Sequence, residues 1–201
     1  MYRLQPLLFQ PVESRVPYSF SGVLEEMRAA YFPGIEQPVE VRIAAKGPLA
    51  YIQPNFMGWD RHLVVFHPVL NHPQTPIEVI RFIAKHELTH IARPPRTVYC
   101  SAVHCSFEVH PPEFWEHEAD IGPERHAVWD WVHKNINRCA RNTSNGYCVT
   151  RRWHQFCDTP RTPYTPSLPF NGERWDRICP GLGAQLRLPP DWATRPMPLA
   201  V

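Results

Sequence analysis

His86 and His90 stand four residues apart in the run His86-Glu87-Leu88-Thr89-His90. On an α-helix a four-residue step returns to the same face, so both imidazoles can reach one ion. Glu87 sits one position round, where its carboxylate meets a water activated by that ion rather than the ion itself. Such a carboxylate can take the water's proton as the water attacks a carbonyl, and later pass it to the leaving amine. His-Glu-x-x-His on a helix is the spacing of zinc-dependent hydrolysis. One catalytic zinc takes three protein ligands and keeps one position open, so a third ligand must come from outside this run.

The short-spaced pattern would need a glycine at 93 and a histidine at 96, and those positions are Arg93 and Arg96. The third ligand therefore lies further on. His104, His110, Glu113, Glu116, His117 and Glu118 are the candidates.

The elements that must position these residues follow from local pattern. Thr75-Pro76-Ile77-Glu78 reads as a capping box with proline at the first helical position. The amphipathic run that follows carries the histidine pair, and Pro94-Pro95 stops it near Arg93. Before it, Ser21 is placed to cap a helix reaching about Phe32. Residues 39–44, 49–53 and 62–67 read as three short strands. After it, residues 96–109 form a crossing loop or a small hairpin. A helix begins at the prolines after His110, Gly122-Pro123 breaks it, and a further helix runs from about 123 to 138. The pattern is α+β, with a small sheet packed on the helix of the histidine pair.

The run HELTH, followed by HPPEFWEHEADIGPERHAVWDWV, resembles the YgjP-like branch of the SprT-like zinc metallopeptidases. The resemblance covers about residues 39–137 and implies a small zincin-like, minimal metallopeptidase domain. It implies one zinc ion held by His86, His90 and His110, with Glu87 as general base and Phe114-Trp115 as the aromatic pair after the third ligand. It also implies that the strand before the helix, flanked by His62, His67 and His72, is the edge along the cleft that pairs with an extended substrate. The substrate is then a peptide or protein. Nothing in residues 138–201 matches the SprT zinc ribbon.

Around this centre, Glu118 is the favoured partner for the second nitrogen of a ligand imidazole, with Asp120 as competitor. Tyr99 and His104, in the crossing, are candidates to stabilise a developing oxyanion. Trp115 is a packing or substrate-contact candidate that holds one helix against the next.

Composition bounds the rest. With 201 residues, 43% hydrophobic and 20% charged, the chain can bury a core, which excludes a highly charged disordered chain. No apolar run is long enough to span a bilayer, and the N-terminus lacks the pattern of a signal peptide, so a cytoplasmic monomer is the expectation. The domain is placed at 1–138. Residues 139–201, with nine of the 24 prolines in the last 43 positions, are placed as a Cys/Arg/Pro-rich extension docked as coil, with Trp153 and Trp175 against the core. A net charge of +2 disfavours a nucleic-acid partner, although nine arginines follow residue 137 and keep a nucleic-acid-associated protease among the alternatives. The others are a zinc amidohydrolase with a non-peptide substrate and a non-catalytic zinc-stabilised binding module. The six cysteines contain no C-x-x-C pair and read as free thiols.

Overall fold

The computed structural model describes residues 18–44, 48–54, 60–100, 104–137 and 160–164. Helix α1, Phe20–Tyr31, is capped by Ser19, whose hydroxyl accepts from the Gly22 N–H at 3.2 Å. The cap thus falls two residues before Ser21. Phe20 is a core residue stacked on Phe66 at 4.7 Å between ring centroids, which draws the helix start back to it. Asn71 holds the chain before α1 through both ends of its amide, accepting from the Tyr18 N–H and donating to the Tyr18 carbonyl.

Strands β1 (Val39–Ile43), β2 (Ala50–Gln53) and β3 (His62–Phe66) form one sheet in the order β1-β3-β2. β3 runs parallel to β1, with Val41 opposite Val64, and antiparallel to β2, with Ile52 opposite Val64. β3 is therefore not the expected edge: with β1 on one side and β2 on the other it has no free side for an extended substrate, and all five of its residues are buried while β1 and β2 are partly exposed. A 3-10 turn, Pro68–Asn71, follows. His67 and His72, which flank the strand in sequence, are buried backbone caps: their Nδ1 atoms accept from the Val69 and Gln74 N–H groups.

Helix α2, Ile77–Ala92, is the centre of the core. Ile80, Phe82, Ala84 and Leu88 are fully buried, and α2 packs on α1 and on the sheet. Burial of each large side chain contributes about 1.5–3 kcal/mol. The expected capping box does not form. Pro76 occupies the cap position in an extended conformation, the helix starts at Ile77, and the buried Thr75 hydroxyl makes no hydrogen bond. The φ of Pro76, −60°, would suit the first helical position, but its ψ of 142° is extended, so the helix starts one residue later than expected.

After α2 comes a two-stranded hairpin, β4 (Arg96–Cys100) and β5 (Cys105–Glu108), with a register shift between Thr97 and Tyr99. Cys100, expected as a free and partly buried thiol, is instead exposed and disulfide-bonded. It lies at the turn end of the hairpin, opposite Cys105, away from the shelter a core gives a thiol. Helix α3, Pro112–Ile121, and helix α4, Arg125–Val132, follow. The last stretch of the expected 123–138 helix widens into a π-helical turn at His133–Asn137. Asn135 uses that turn to accept from the Thr162 N–H, and its carbonyl accepts from Arg161. Trp131 Nε1 donates to the Thr162 carbonyl. Residues 160–164 therefore dock as irregular coil; Trp153 and Trp175 lie outside the described residues. Among the described residues, no helix is long and apolar enough to cross a membrane. The whole is a small α+β domain of zincin-like, minimal metallopeptidase type, its sheet packed against the helix of the histidine pair.

Gly122 forms the α3–α4 corner because a side chain has no room there. A Cβ would meet the Phe82 ring at 2.8 Å and the Glu118 carbonyl at 2.9 Å. Gly34, by contrast, has open space around it. Gly122→Ala should lower the unfolding free energy by about 1–3 kcal/mol through overpacking, whereas Gly34→Ala should stay within about 0.5 kcal/mol of wild type. Urea unfolding of both variants checks this.

Candidate metal centre

α2 presents His86 and His90 one turn apart, with ring centroids 5.1 Å from each other. His110 arrives from a separate segment. β5 delivers the chain to it, and Pro111, extended at the cap position of α3, turns the backbone into the helix immediately afterwards. Its ring comes to 5.2 Å from His86 and 4.8 Å from His90. The candidate ligand nitrogens of the three lie within 4.8 Å of one another. A tetrahedral ion with bonds of about 2.05 Å needs roughly 3.4 Å between ligand atoms, a separation inside that span. Phe114 forms the floor, with its centroid 4.5–5.1 Å from all three rings.

The sharpest contact holds the outside of the cluster. Glu118 on α3 is fully buried, and its Oε1 lies 2.5 Å from His86 Nδ1. Its Oε2 is 3.2 Å from Arg125 Nε on α4. The Arg125 guanidinium lies over the Trp115 ring at 5.1 Å, and Trp115 stands 4.9 Å from His110. A carboxylate at Nδ1 places the ring proton there and turns the Nε2 lone pair toward the other histidines.

The electrostatics divide the groups. Burial opposes charge on His86, but the hydrogen bond and charge of Glu118 outweigh it, and its pKa is raised. His90 is pushed down to about 2 by burial, with His86 and His110 adding to the effect, so its lone pair is available. Burial pushes the Glu87 carboxyl up to about 7, against the pull of His86 and with the push of Glu118. Glu87 adjoins the cluster without being one of its converging atoms. Three imidazole nitrogens beside a buried carboxyl are a donor set suited to a divalent metal.

Of the residues expected around the centre, Glu118 is in place and Trp115 packs at its edge. Asp120, its competitor, is exposed, and acts as a charge on His117. Glu113 and Glu116 are exposed as well, and His117 turns to Phe32, 5.6 Å away. Tyr99 is 59% exposed on the hairpin, and His104 is exposed beside it, so neither is enclosed with the histidines. Arg125 was not anticipated. Its one sequence signal is a seven-residue step from Glu118, two helical turns, interrupted by Gly122-Pro123. No family model, curated protein or solved structure matches the chain.

Loss of the outer carboxylate should weaken metal binding without removing any ligand. Glu118→Gln should lower affinity for a divalent metal by about tenfold and Glu118→Ala by up to about a hundredfold. Competition with a chromophoric chelator measures both, and affinity unchanged in Glu118→Ala would show that His86 does not depend on Glu118.

Proposed function

We propose that this chain is a zinc-dependent metallopeptidase in which His86, His90 and His110 hold one zinc ion and Glu87 is the general base. The convergence of three imidazoles from two segments, with the buried Glu87 carboxyl beside them, carries this reading. The likeness of the HELTH-to-Phe-Trp block to the YgjP-like branch of the SprT-like peptidases supports it, and peptide or protein is the substrate class.

Bound zinc would supply a Lewis acid that polarises the scissile carbonyl and acidifies a water. Glu87 Oε takes one proton from the attacking water as the new C–O bond forms. It then delivers that proton to the amine nitrogen as the C–N bond breaks. Burial raises the Glu87 carboxyl's hold on a proton, and a cation beside it would lower that hold again. Glu118 and Arg125 keep His86 in one orientation throughout. Phe114 and Trp115 keep water from the protein side of the cluster, because both are buried. An intact Glu87 also favours turnover over a purely structural metal, since a carboxylate next to the ligands is not needed to hold the ion.

Glu87→Gln should reduce peptide hydrolysis by about 10²–10⁴-fold while zinc remains stoichiometric. His110→Ala should lower zinc affinity and, where binding is coupled to folding, stability too. Cleavage of a quenched-fluorescence peptide mixture, alongside metal analysis of wild type and both variants, tests the reading. Full turnover in Glu87→Gln rejects the mechanism, and full zinc at unchanged affinity in His110→Ala rejects the ligand.

A further inference from the structure

The hairpin of β4 and β5 makes up most of the connection between His90 and His110. Pro94-Pro95 leads into it from α2, and Glu108, the last residue of β5, stands two positions before His110. Downstream, His110 is well anchored, because Pro111 opens α3 and Phe114 and Trp115 of that helix are buried. Upstream, its backbone is only as ordered as the hairpin.

Noncovalent forces hold that hairpin weakly. All five residues of β4 are exposed, and so is Phe107 on β5. The two strands pack closely on each other and only sparsely on any other element. A two-stranded hairpin with no apolar face to bury is marginal in water. The register shift between Thr97 and Tyr99 interrupts its ladder. The Arg96–Glu108 ion pair closes its base at 2.5 Å, but both side chains are partly exposed, and a pair so open to water contributes little. What remains is covalent. Cys100 is disulfide-bonded, and the residue opposite it in the register is Cys105. Facing residues of an antiparallel pair have Cα atoms about 4.5–5.5 Å apart, inside the span of about 4.4–6.8 Å that a disulfide bridges.

We propose that Cys100 is bonded to Cys105 and that this cross-link is a redox latch on the third metal ligand. Closed, it fixes the hairpin and keeps Arg96 beside Glu108, so that short segments alone join the hairpin to His90 and to His110. Open, the connection from His90 to His110 becomes one long loop, whose closure opposes metal binding. Cys100 is exposed, and exposed disulfides are the ones that reductants open. A thiolate of a dithiol reductant attacks one cysteine sulfur, the S–S bond breaks and a mixed disulfide forms. The second thiol of the reductant then displaces that cysteine. Two electrons and two protons have passed to the protein, which holds two thiols, and the reductant leaves as its own disulfide. The latch rests on the reading of His110 as a ligand, not on peptide hydrolysis.

Trypsin, cutting after Arg96 and Arg125, releases a peptide 97–125 that carries both cysteines and no other. From unreduced protein it should appear alone and two hydrogens lighter than its reduced form. Zinc affinity is read by competition with a chromophoric chelator, before and after reduction with a water-soluble phosphine. The phosphine ends as its oxide and leaves no reductant thiol to bind zinc. Reduction should lower affinity about tenfold, the lower end of what positioning partners of a ligand contribute. The Cys100→Ser/Cys105→Ser protein should show the lowered affinity from the start and no response to the phosphine. In His110→Ala, reduction should leave the residual affinity unchanged, because the ligand through which the latch acts is gone; a general loosening of the domain would still lower it. A cross-link from Cys100 to a cysteine beyond residue 137 overturns the pairing. Equal affinity of oxidised and reduced wild type, or an undiminished fall in His110→Ala, overturns the latch and leaves the metal centre standing. Wild type that binds no zinc in either state rejects the metal centre, and the latch with it.

Discussion

Glu118 is a carboxylate with no exposed surface, and the arrangement of three helices answers to it. A buried charge without partners would neutralise or unfold its surroundings. This one meets a hydrogen bond from His86 on α2 and the guanidinium of Arg125 on α4, while itself standing on α3. Satisfying it fixes α2, α3 and α4 relative to one another, and that same geometry brings His110 against the histidine pair. Removing either partner would leave the charge buried and uncompensated, a loss larger than the pair's own net contribution.

A second clamp works beside the first. Lys85, also buried on α2, donates to the Ile121 carbonyl at the end of α3 and to Glu124 before α4, at 2.6 and 2.5 Å. The α3–α4 corner is thus gripped from α2 at the point where Gly122 lets it approach Phe82. Stability and function are tied here, since the side chains that close the core also aim the imidazoles. Docking of Arg161 and Thr162 on Asn135 and Trp131 extends the same packing to a distant part of the chain.

Within the cluster, similar rings have been given different electrical states. His90 is surrounded by apolar surface and other imidazoles and stays neutral, while His86 leans on a carboxylate. Phe114, touching all three, excludes alternative hydrogen-bond partners that would turn the rings away. The hairpin that precedes His110 has the opposite character: Val98, Tyr99 and Phe107 are exposed, so apolar surface stands open next to an enclosed polar centre.

The sequence by itself determined which helix carries the chemistry. The four-residue spacing of His86 and His90, the apolar stripe beneath them and the Pro94-Pro95 stop are local properties of a 3.6-residue period, legible without the fold. The three strands were legible from alternation and turn residues, whereas residues 96–109 stayed open between a crossing loop and a hairpin until the β4–β5 pairing decided it. Caps were less so: Ser19 in place of Ser21, and a Thr75 hydroxyl left unused, depend on where Phe20 and Pro76 sit in the packed core. His110 stood among several sequence candidates and was singled out by resemblance; only the packing of α3 on α2 brings its ring to the pair. The central place of β3 and the Glu118–Arg125 pair were decided by tertiary structure alone. Each depends on contacts between segments far apart in the chain, and no periodicity within a segment encodes which distant partner its buried polar atoms will meet.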